Sequence, residues 1–386
     1  MEIGYIKSRW VMAVVAASLM TAGPAAAQSP LKIGVVGPFS GRGAEAGERV
    51  ASAVKMAVEE VNAAGGLGGA KVDVVIGDDE GVPEKSTLVA QRMADDPAVL
   101  GVIGPMNSGA VLAAGSIYER AGLPFITPTA TNARVTEQGW KMAHRLAGRD
   151  DREGPASAIF IAEEIKPKKV LLISDKTAFQ AGIVQEVQRV LKQRGVSDAT
   201  IEEVSDQDRD LTPLITRIKA SGADFIYLGM TAPQAALFMK QAAQGGLKVR
   251  GLGNGSLRER ESFIKAAGGD AEGVFVTYNA QDPRQVPEAK EFIAKFEAKY
   301  KKSVSAYEPQ AYDATMILLN AIKTAGAKGG KANRADVVAA IKAVKGYRGV
   351  LGLPITFDAK GDIAAAPINI FRVQGDDFAF VKAVVP

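Results

Sequence analysis

The chain has 386 residues, of which 47% are hydrophobic and 23% charged, a composition typical of a globular protein of about two domains. It contains no cysteine, which excludes disulfides, thiolate nucleophiles and zinc–thiolate sites. The formal net charge of +4 is small for this length, and the short lysine runs flank predicted strands or end predicted helices. We therefore expect no nucleic-acid partner.

The amino terminus carries the features of a secretory signal peptide. Lys7 and Arg9 precede a short apolar run at residues 11–20, and three alanines at residues 25–27 form a small-residue cleavage motif. That run is too short to span about 30 Å of hydrocarbon, and no later stretch reaches about 18 unbroken apolar residues. We expect residues 1–27 to be removed on export, and the mature chain not to be embedded in a membrane.

The first third of the mature chain alternates between predicted strands and predicted helices. The strands lie at residues 31–36, 71–76, 99–103 and 124–127. The helices lie at residues 47–64, 83–94 and 109–121. Strands and helices that alternate with short turns predict a doubly wound α/β unit with a parallel sheet.

The pattern then restarts after a polar segment at residues 145–154. Helices are predicted at residues 155–164, 179–194, 211–220, 233–244 and 258–267. Strands are predicted between them, at residues 170–174, 199–204, 225–228, 249–251 and 273–277. This alternation predicts a second doubly wound unit of similar size.

The last third predicts three helices in succession, at residues 288–299, 311–324 and 334–344, and then short strands at residues 355–357, 368–373 and 378–384. Helices without strands between them are expected to complete the layers of the two units. We therefore predict lobe one from residues 28–149 plus 280–354 and lobe two from residues 150–279 plus 355–386. Crossings near residues 148–154, 278–281 and 353–358 would form a hinge.

Two polar turns follow neighbouring strands of the first unit. Asn107 and Ser108 follow the strand at residues 99–103, and Thr129 and Thr131 follow the strand at residues 124–127. In a parallel sheet both turns lie at the carboxyl edge, where open α/β sheets bind ligands. Because one turn also opens a helix, the pair predicts a site for a small anion such as a carboxylate.

The sequence gives little support to catalysis. It contains neither G-x-G-x-x-G nor G-x-x-x-x-G-K-[ST], so the dinucleotide and phosphate signatures are absent. His144 is the only histidine and no serine lies in G-x-S-x-G, which argues against a histidine metal cluster and a catalytic triad. We expect no catalytic residue, no cofactor and no metal, and a structural role for His144.

Several short motifs carry a resemblance to a known family. They are IGVVGPFSG from Ile33, VIGPMNS from Val102, ITPTAT from Ile126, Gly154-Pro155, Ser174-Asp175-Lys176 and Gly361-Asp362. In this order they resemble the type I periplasmic solute-binding proteins, in particular the leucine/isoleucine/valine-binding branch that serves ABC transporters. The resemblance implies two α/β lobes joined by three crossovers, closure over a small solute in the periplasm, and a membrane permease as partner.

The resemblance also implies a set of ligand-binding residues. Ser108 and Thr131 would hold the ligand carboxylate or ammonium in lobe one, with Thr129 contributing backbone groups. Phe179 would cover the ligand from lobe two. Helix capping for Ser108 and core positions for Phe179 and Tyr307 are the structural alternatives. The complete predicted site is Met106, Asn107, Ser108, Thr129, Thr131, Phe179, Thr231, Asn254 and Tyr307.

Two departures from the family bear on specificity. Branched-chain amino-acid binders carry an acid near Gly255 to pair with the ammonium, and this sequence has none there. Ala46 and Thr231 stand where aromatic residues are expected, which enlarges the predicted pocket. Either another acid such as Glu308 supplies the counter-charge, or the ligand is a carboxylate or amide without an ammonium. The sequence favours a carboxylate other than leucine, isoleucine or valine, and a receptor that presents its ligand to a sensor remains the alternative to transport.

Overall fold

The computed structural model describes residue 1 and residues 30–279, 282–305, 307–327, 331–364 and 368–386. The predicted signal peptide and its cleavage site fall outside these ranges, apart from Met1. Among the helices within them, none has both the length and the hydropathy needed to cross a bilayer.

The first lobe is built on a five-stranded parallel sheet of order β2-β1-β3-β4-β5. Its strands are β1 (Leu31–Gly37), β2 (Val72–Asp78), β3 (Val99–Ile103), β4 (Phe125–Thr127) and β5 (Ala143–Arg145). Its helices are α1 (Ala44–Ala63), α2 (Pro83–Asp95), α3 (Ser108–Arg120) and the short α4 (Arg134–Glu137). The predicted alternation of strands and helices is confirmed. The three-residue β5 was not predicted, because it is too short to show a hydrophobic pattern.

The second lobe begins with α5 (Asp150–Phe160) and continues the alternation. Its next strands are β6 (Val170–Ser174), β7 (Ala199–Glu203), β8 (Phe225–Gly229), β9 (Gly251–Gly253) and β10 (Phe275–Tyr278). Its other helices are α6 (Ala178–Gln193), α7 (Thr212–Ser221) and α8 (Ala232–Gln244). Two predictions need correction. Helix α5 starts five residues earlier than predicted, and the helix predicted at residues 258–267 is mainly a π-helical turn at Arg260–Lys265.

The chain then returns to the first lobe. Helices α9 (Lys290–Tyr300), α10 (Glu308–Gly326) and α11 (Arg334–Lys342) follow, and then a two-stranded ribbon of β11 (Tyr347–Arg348) and β12 (Pro354–Ile355). Helix α10 packs beside α1, against β3 and β4 of the sheet. A Cβ atom at position 101 of β3 would lie 2.5 Å from Leu318, so only glycine allows α10 to approach so closely.

The last two strands, β13 (Ile368–Gln374) and β14 (Asp377–Val384), complete the second lobe. They join its sheet antiparallel, which gives seven strands in the order β14-β13-β10-β9-β8-β6-β7. Ile355 and Phe357 pack in the core of the first lobe, so the final crossing follows Phe357 rather than residue 354. The remaining lobe boundaries stay a prediction.

The two lobes meet where three helices begin. Helices α3, α5 and α6 start at Ser108, Asp150 and Ala178. A Cβ atom at Gly109 would lie 3.9 Å from the Cβ of Ala178, so α3 and α6 approach each other at their amino ends. The positive ends of helix dipoles therefore converge on the carboxyl edge of the first sheet.

His144 occupies a structural position in β5. Its side chain is 1% exposed, its Nδ1 lies 3.2 Å from the carbonyl oxygen of Met142, and its ring packs edge-on against Phe357. Burial lowers the pKa of His144 to about 4. The imidazole is therefore neutral at physiological pH.

We predict that the single imidazole titrates with a midpoint near pH 4 in the folded protein. The unfolded chain binds this proton near pH 6.5, so the contribution of His144 to stability decreases as the pH falls from about 6.5 to about 4. A titration of the ring resonance by NMR measures the midpoint directly. The same titration in urea should give about 6.5, and a midpoint between 6 and 7 in the folded protein would contradict the prediction.

Candidate functional site

The second polar turn is supported by the guanidinium of Arg145, which is 0% exposed. Its Nη1 donates to the carbonyl oxygen of Asn132 at 2.8 Å, its Nη2 to Thr136 Oγ1 at 2.8 Å, and its Nε to Asp362 Oδ1 at 2.7 Å. Although burial acts to raise it, Arg145 and Arg149 hold the pKa of Asp362 below its usual range. Asp362 lies between β12 and β13, next to Ile363, which packs on the core of the first lobe. Arg145 therefore ties the turn to this segment.

The two polar turns are also bonded to each other. Ser108 is buried at the first position of α3, and its Oγ accepts a hydrogen bond from the backbone N–H of Asn132 at 3.3 Å. Thr129 Oγ1 donates to the carbonyl oxygen of Met106 at 2.8 Å. The helix-capping alternative for Ser108 is not what the structure has, since the cap position is Asn107. The turns thus form one rigid rim.

Thr131 lies beside an acid that the sequence analysis did not select. The backbone N–H of Asp150 donates to the carbonyl oxygen of Thr131 at 2.9 Å. Asp150 is 2% exposed, and its carboxylate oxygens and the hydroxyl of Thr131 have no hydrogen-bond partner among the described residues other than each other. Burial raises the pKa of Asp150 well above its usual range. Adjacent buried polar groups without further partners are typical of a site that a ligand completes.

The second lobe packs directly onto this rim. The side-chain Nδ2 of Asn132 donates to the carbonyl oxygen of Ala178 at 2.6 Å. A Cβ atom at Gly182, one turn further along α6, would lie 2.6 Å from that Nδ2 and 3.3 Å from Asp150 Oδ2. Phe179 is half-buried in the same first turn and packs partly against the core of lobe two. The lobes are therefore closed together at Asp150.

The polar turn of lobe two is used by the lobe itself. Asn254 is buried, its Nδ2 donates to Gln180 Oε1 at 2.7 Å, and its Oδ1 accepts from Ser256 Oγ at 2.6 Å. The N–H of Gly255 donates to Glu153 Oε1 at 2.7 Å. An acid therefore does approach Gly255, but it comes from α5 and its bonds are made within the lobe. Asn254 and Glu153 thus bond within the lobe, and a ligand-binding role for Asn254 stays a prediction.

The other predicted residues differ in burial and in what surrounds them. The side chain of Met106 packs in the core of lobe one, against Gly37, and Asn107 is exposed beside Gly81. Thr231 is half-buried at the residue before α8, and Tyr307 is half-buried at the residue before α10. The structure thus brings Ser108, Thr129 and Thr131 together, places Phe179 on the facing helix, and leaves the binding role of this group a prediction.

Glu308, which the sequence offered as a counter-charge, is already paired. It is completely buried, its Oε1 accepts from Arg49 Nη1 at 2.7 Å, and its Oε2 accepts from the N–H and Oγ of Ser305 at 2.8 and 2.7 Å. A carboxylate with this many donors has no free oxygen for a ligand ammonium. Asp150, by contrast, has no such set of donors among the described residues. In the sequence, Asp150 could have been recognised because it is an acid in one of the predicted crossings between the lobes.

The comparisons with known proteins agree with this architecture. A family model described as periplasmic binding protein matches residues 30–377. The chain belongs to this family. The solute-binding fold expected from the motifs is thereby confirmed, and the family is one of binding proteins rather than enzymes.

Individual relatives of this periplasmic binding protein extend over most of its length. The leucine-, isoleucine-, valine-, threonine- and alanine-binding protein of Pseudomonas aeruginosa is 34% identical over 304 residues, which cover 78% of this chain and 80% of that protein. The leucine-binding protein LivK of Thermotoga maritima is 27% identical with a TM-score of 0.83, over 92% and 99% of the two chains. The substrate-binding protein LivJ of Streptococcus pneumoniae, solved with isoleucine, is 25% identical with a TM-score of 0.83, over 93% and 100%.

We predict that Arg145→Met destabilises this periplasmic binding protein by about 3–5 kcal/mol, because it leaves Asp362 buried without its main partner. Urea unfolding at pH 7 measures the free energy of unfolding. Lys265→Met is the matched control, since its partner Glu261 is exposed and the pair is worth little. A loss in Arg145→Met no larger than in the control would show that Arg145 does not hold the turn.

Proposed function

We propose that the chain captures an α-amino acid between its two lobes in the periplasm and presents it to the membrane permease of an ABC importer. One observation carries the proposal. The buried carboxylate of Asp150 and the hydroxyl of Thr131 lie side by side with no partner among the described residues other than each other, next to the rim that holds Ser108. An ammonium group donates hydrogen bonds to both kinds of oxygen.

The carboxylate end of the same ligand fits the start of α3. Ser108 stands at the first helical position, where backbone N–H groups lack partners within the helix and the dipole favours negative charge. Its hydroxyl adds a donor, because the bond that its Oγ accepts from Asn132 leaves the proton available. A zwitterion therefore finds an anion site and a cation site on neighbouring turns.

Asp150 also argues against a simple carboxylate as ligand. A benzoate or aliphatic acid would bring a second negative group and no counter-charge, so Asp150 would have to stay protonated, whereas an ammonium pairs with its ionised form. The missing acid near Gly255 favoured such ligands at the level of sequence. The position of Asp150 reverses that preference. The Pseudomonas aeruginosa relative, named for binding leucine, isoleucine, valine, threonine and alanine, and LivJ, solved with isoleucine, support an amino acid.

Capture would proceed by hinge closure. The solute first meets Ser108 and Thr131 on lobe one, and α6 then brings Phe179 over it. Exclusion of water strengthens each polar contact. The predicted signal peptide and the family support a periplasmic location, and the relatives that serve transporters support a permease as partner.

We predict that Ser108→Ala and Thr131→Ala each weaken amino-acid binding by about 1–3 kcal/mol, because each leaves a buried partner unsatisfied. Asp150→Asn should weaken it by about 2–5 kcal/mol, since it removes the counter-charge of the ammonium. Calorimetry on an amino acid selected by a thermal-shift screen measures each change.

Thr216→Ala, on the exposed face of α7, is the control and should leave the affinity unchanged. Unaltered affinity in both Ser108→Ala and Asp150→Asn would exclude the site. Tight binding of benzoate together with no binding of any amino acid would exclude the ligand class.

A further inference from the structure

A second part of the interlobe cleft lies beyond the contacts described so far. It is a shallow space that is partly open to solvent, with room for a group about the size of one water molecule. Lobe one contributes Arg49 of α1 and the loop at residues 303–305, and lobe two contributes residues 258–261 and Tyr278. Any ligand group that reaches this volume is held between the lobes.

The arginines around this cleft already have acidic partners. Arg49 pairs with Glu308, Arg258 with Asp282, Arg260 with Asp377 and Arg284 with Glu297. The lobe-two acid Glu261 is exposed and pairs with Lys265. These pairs leave little net charge of their own in the cleft.

Glu259 differs from these residues because it takes part in none of these ion pairs. It is 4% exposed, lines the cleft from lobe two, and its Oε1 is buried without a hydrogen-bond partner among the described residues. Burial and the neighbouring Glu308 raise the pKa of Glu259 to about 8, against the opposing effect of Arg49. The titratable and charged groups that surround it on the packed elements are Glu45 and Arg49 of α1, Tyr307 and Glu308 at the start of α10, Tyr278 of β10, and Arg258, Arg260, Glu261 and Arg284.

The turn at Gly255 lies near both the Glu259 pocket and α5, which carries Asp150. Glu153, one turn after Asp150 on α5, bonds the N–H of Gly255. A Cβ atom at Gly255 would lie 3.4 Å from Glu153 Oε1 and 3.7 Å from Tyr278 Cδ2, and Tyr278 lines the cleft together with Glu259. The Glu259 pocket and α5 thus approach the same turn.

We propose that Glu259 is a specificity-determining residue that selects amino acids whose side chain ends in a positively charged group. This inference rests on the proposed function, in which Asp150 holds the α-ammonium. Closure desolvates Glu259 against Arg49 and Glu308, which already neutralise each other. A ligand cation supplies the charge that Glu259 lacks, whereas an aliphatic side chain leaves it buried and unpaired.

A proton is the other way to neutralise Glu259, and it gives the two ligand types different pH dependences. With an aliphatic ligand, Glu259 must take up a proton when the cleft closes. The affinity therefore decreases as the pH rises from the ordinary pKa of an exposed glutamate towards the pKa of about 8 in the closed cleft. With a cationic ligand, Glu259 stays ionised and no proton is taken up. The ratio of the two affinities therefore increases with pH.

Lysine and norleucine form a matched pair of probes, because they share a four-carbon side-chain stem and differ in the terminal ammonium. Calorimetry at pH 7.5 should give the wild-type protein an affinity for lysine at least about tenfold above that for norleucine. Glu259→Gln, which keeps the shape and removes the charge, should bring this ratio to about one at pH 5.5 and 7.5 alike.

Glu261→Gln is the matched control, since Glu261 lines the same cleft but is exposed and paired, and it should leave the ratio unchanged. Asp150→Asn should weaken both ligands equally and keep the ratio, which separates a failure of the proposed function from a failure of this inference. Glu259→Ala repeats the test if Glu259→Gln does not fold. Norleucine binding as tightly as lysine, a ratio unaffected in the Glu259 variants, or binding of neither ligand to the wild type would overturn the proposal.

Discussion

The interaction on which the rest of the site depends is the buried pair of Arg145 and Asp362. The guanidinium donates hydrogen bonds to two backbone carbonyl oxygens of the turn, to a threonine hydroxyl and to a carboxylate. Its charge is therefore neutralised and its donors are used without water. Turn residues such as Thr131 have few bonds of their own to fix them. Asp362 belongs to the segment between β12 and β13, so one contact fixes both this segment and the turn that carries Thr131.

Much of the fold follows from local patterns. Apolar runs such as Val99–Ile103, followed by polar turns and amphipathic helices, predict a doubly wound sheet because each strand is buried on both faces. The same logic places Ser108 and Thr131 at one sheet edge without knowledge of any distance. The prediction for residues 258–267 fails because a helical apolar pattern does not distinguish an α-helix from a short π-helical turn.

The acids of the site were not predictable in this way, because their roles depend on contacts across the chain. Asp362 meets Arg145 over 217 residues, and Glu308 meets Arg49 over 259. Glu308 is already neutralised by Arg49 and is not free to bind a ligand cation. Asp150 and Glu259 form no such ion pair among the contacts described above, so their carboxylates are available. A sequence shows which carboxylates exist but not which ones are already neutralised, and in a desolvated cleft that difference decides what binds.

Gly182 sets the distance at which the lobes stop. Its hydrogen atom faces Asn132 and Asp150, and a methyl group in that place would meet the Asn132 amide at 2.6 Å. A larger residue at this position would push against Asn132 and act to separate the lobes. The absence of a side chain at this position of α6 therefore lets the amide of Asn132 reach the carbonyl oxygen of Ala178 and hold the two lobes in contact.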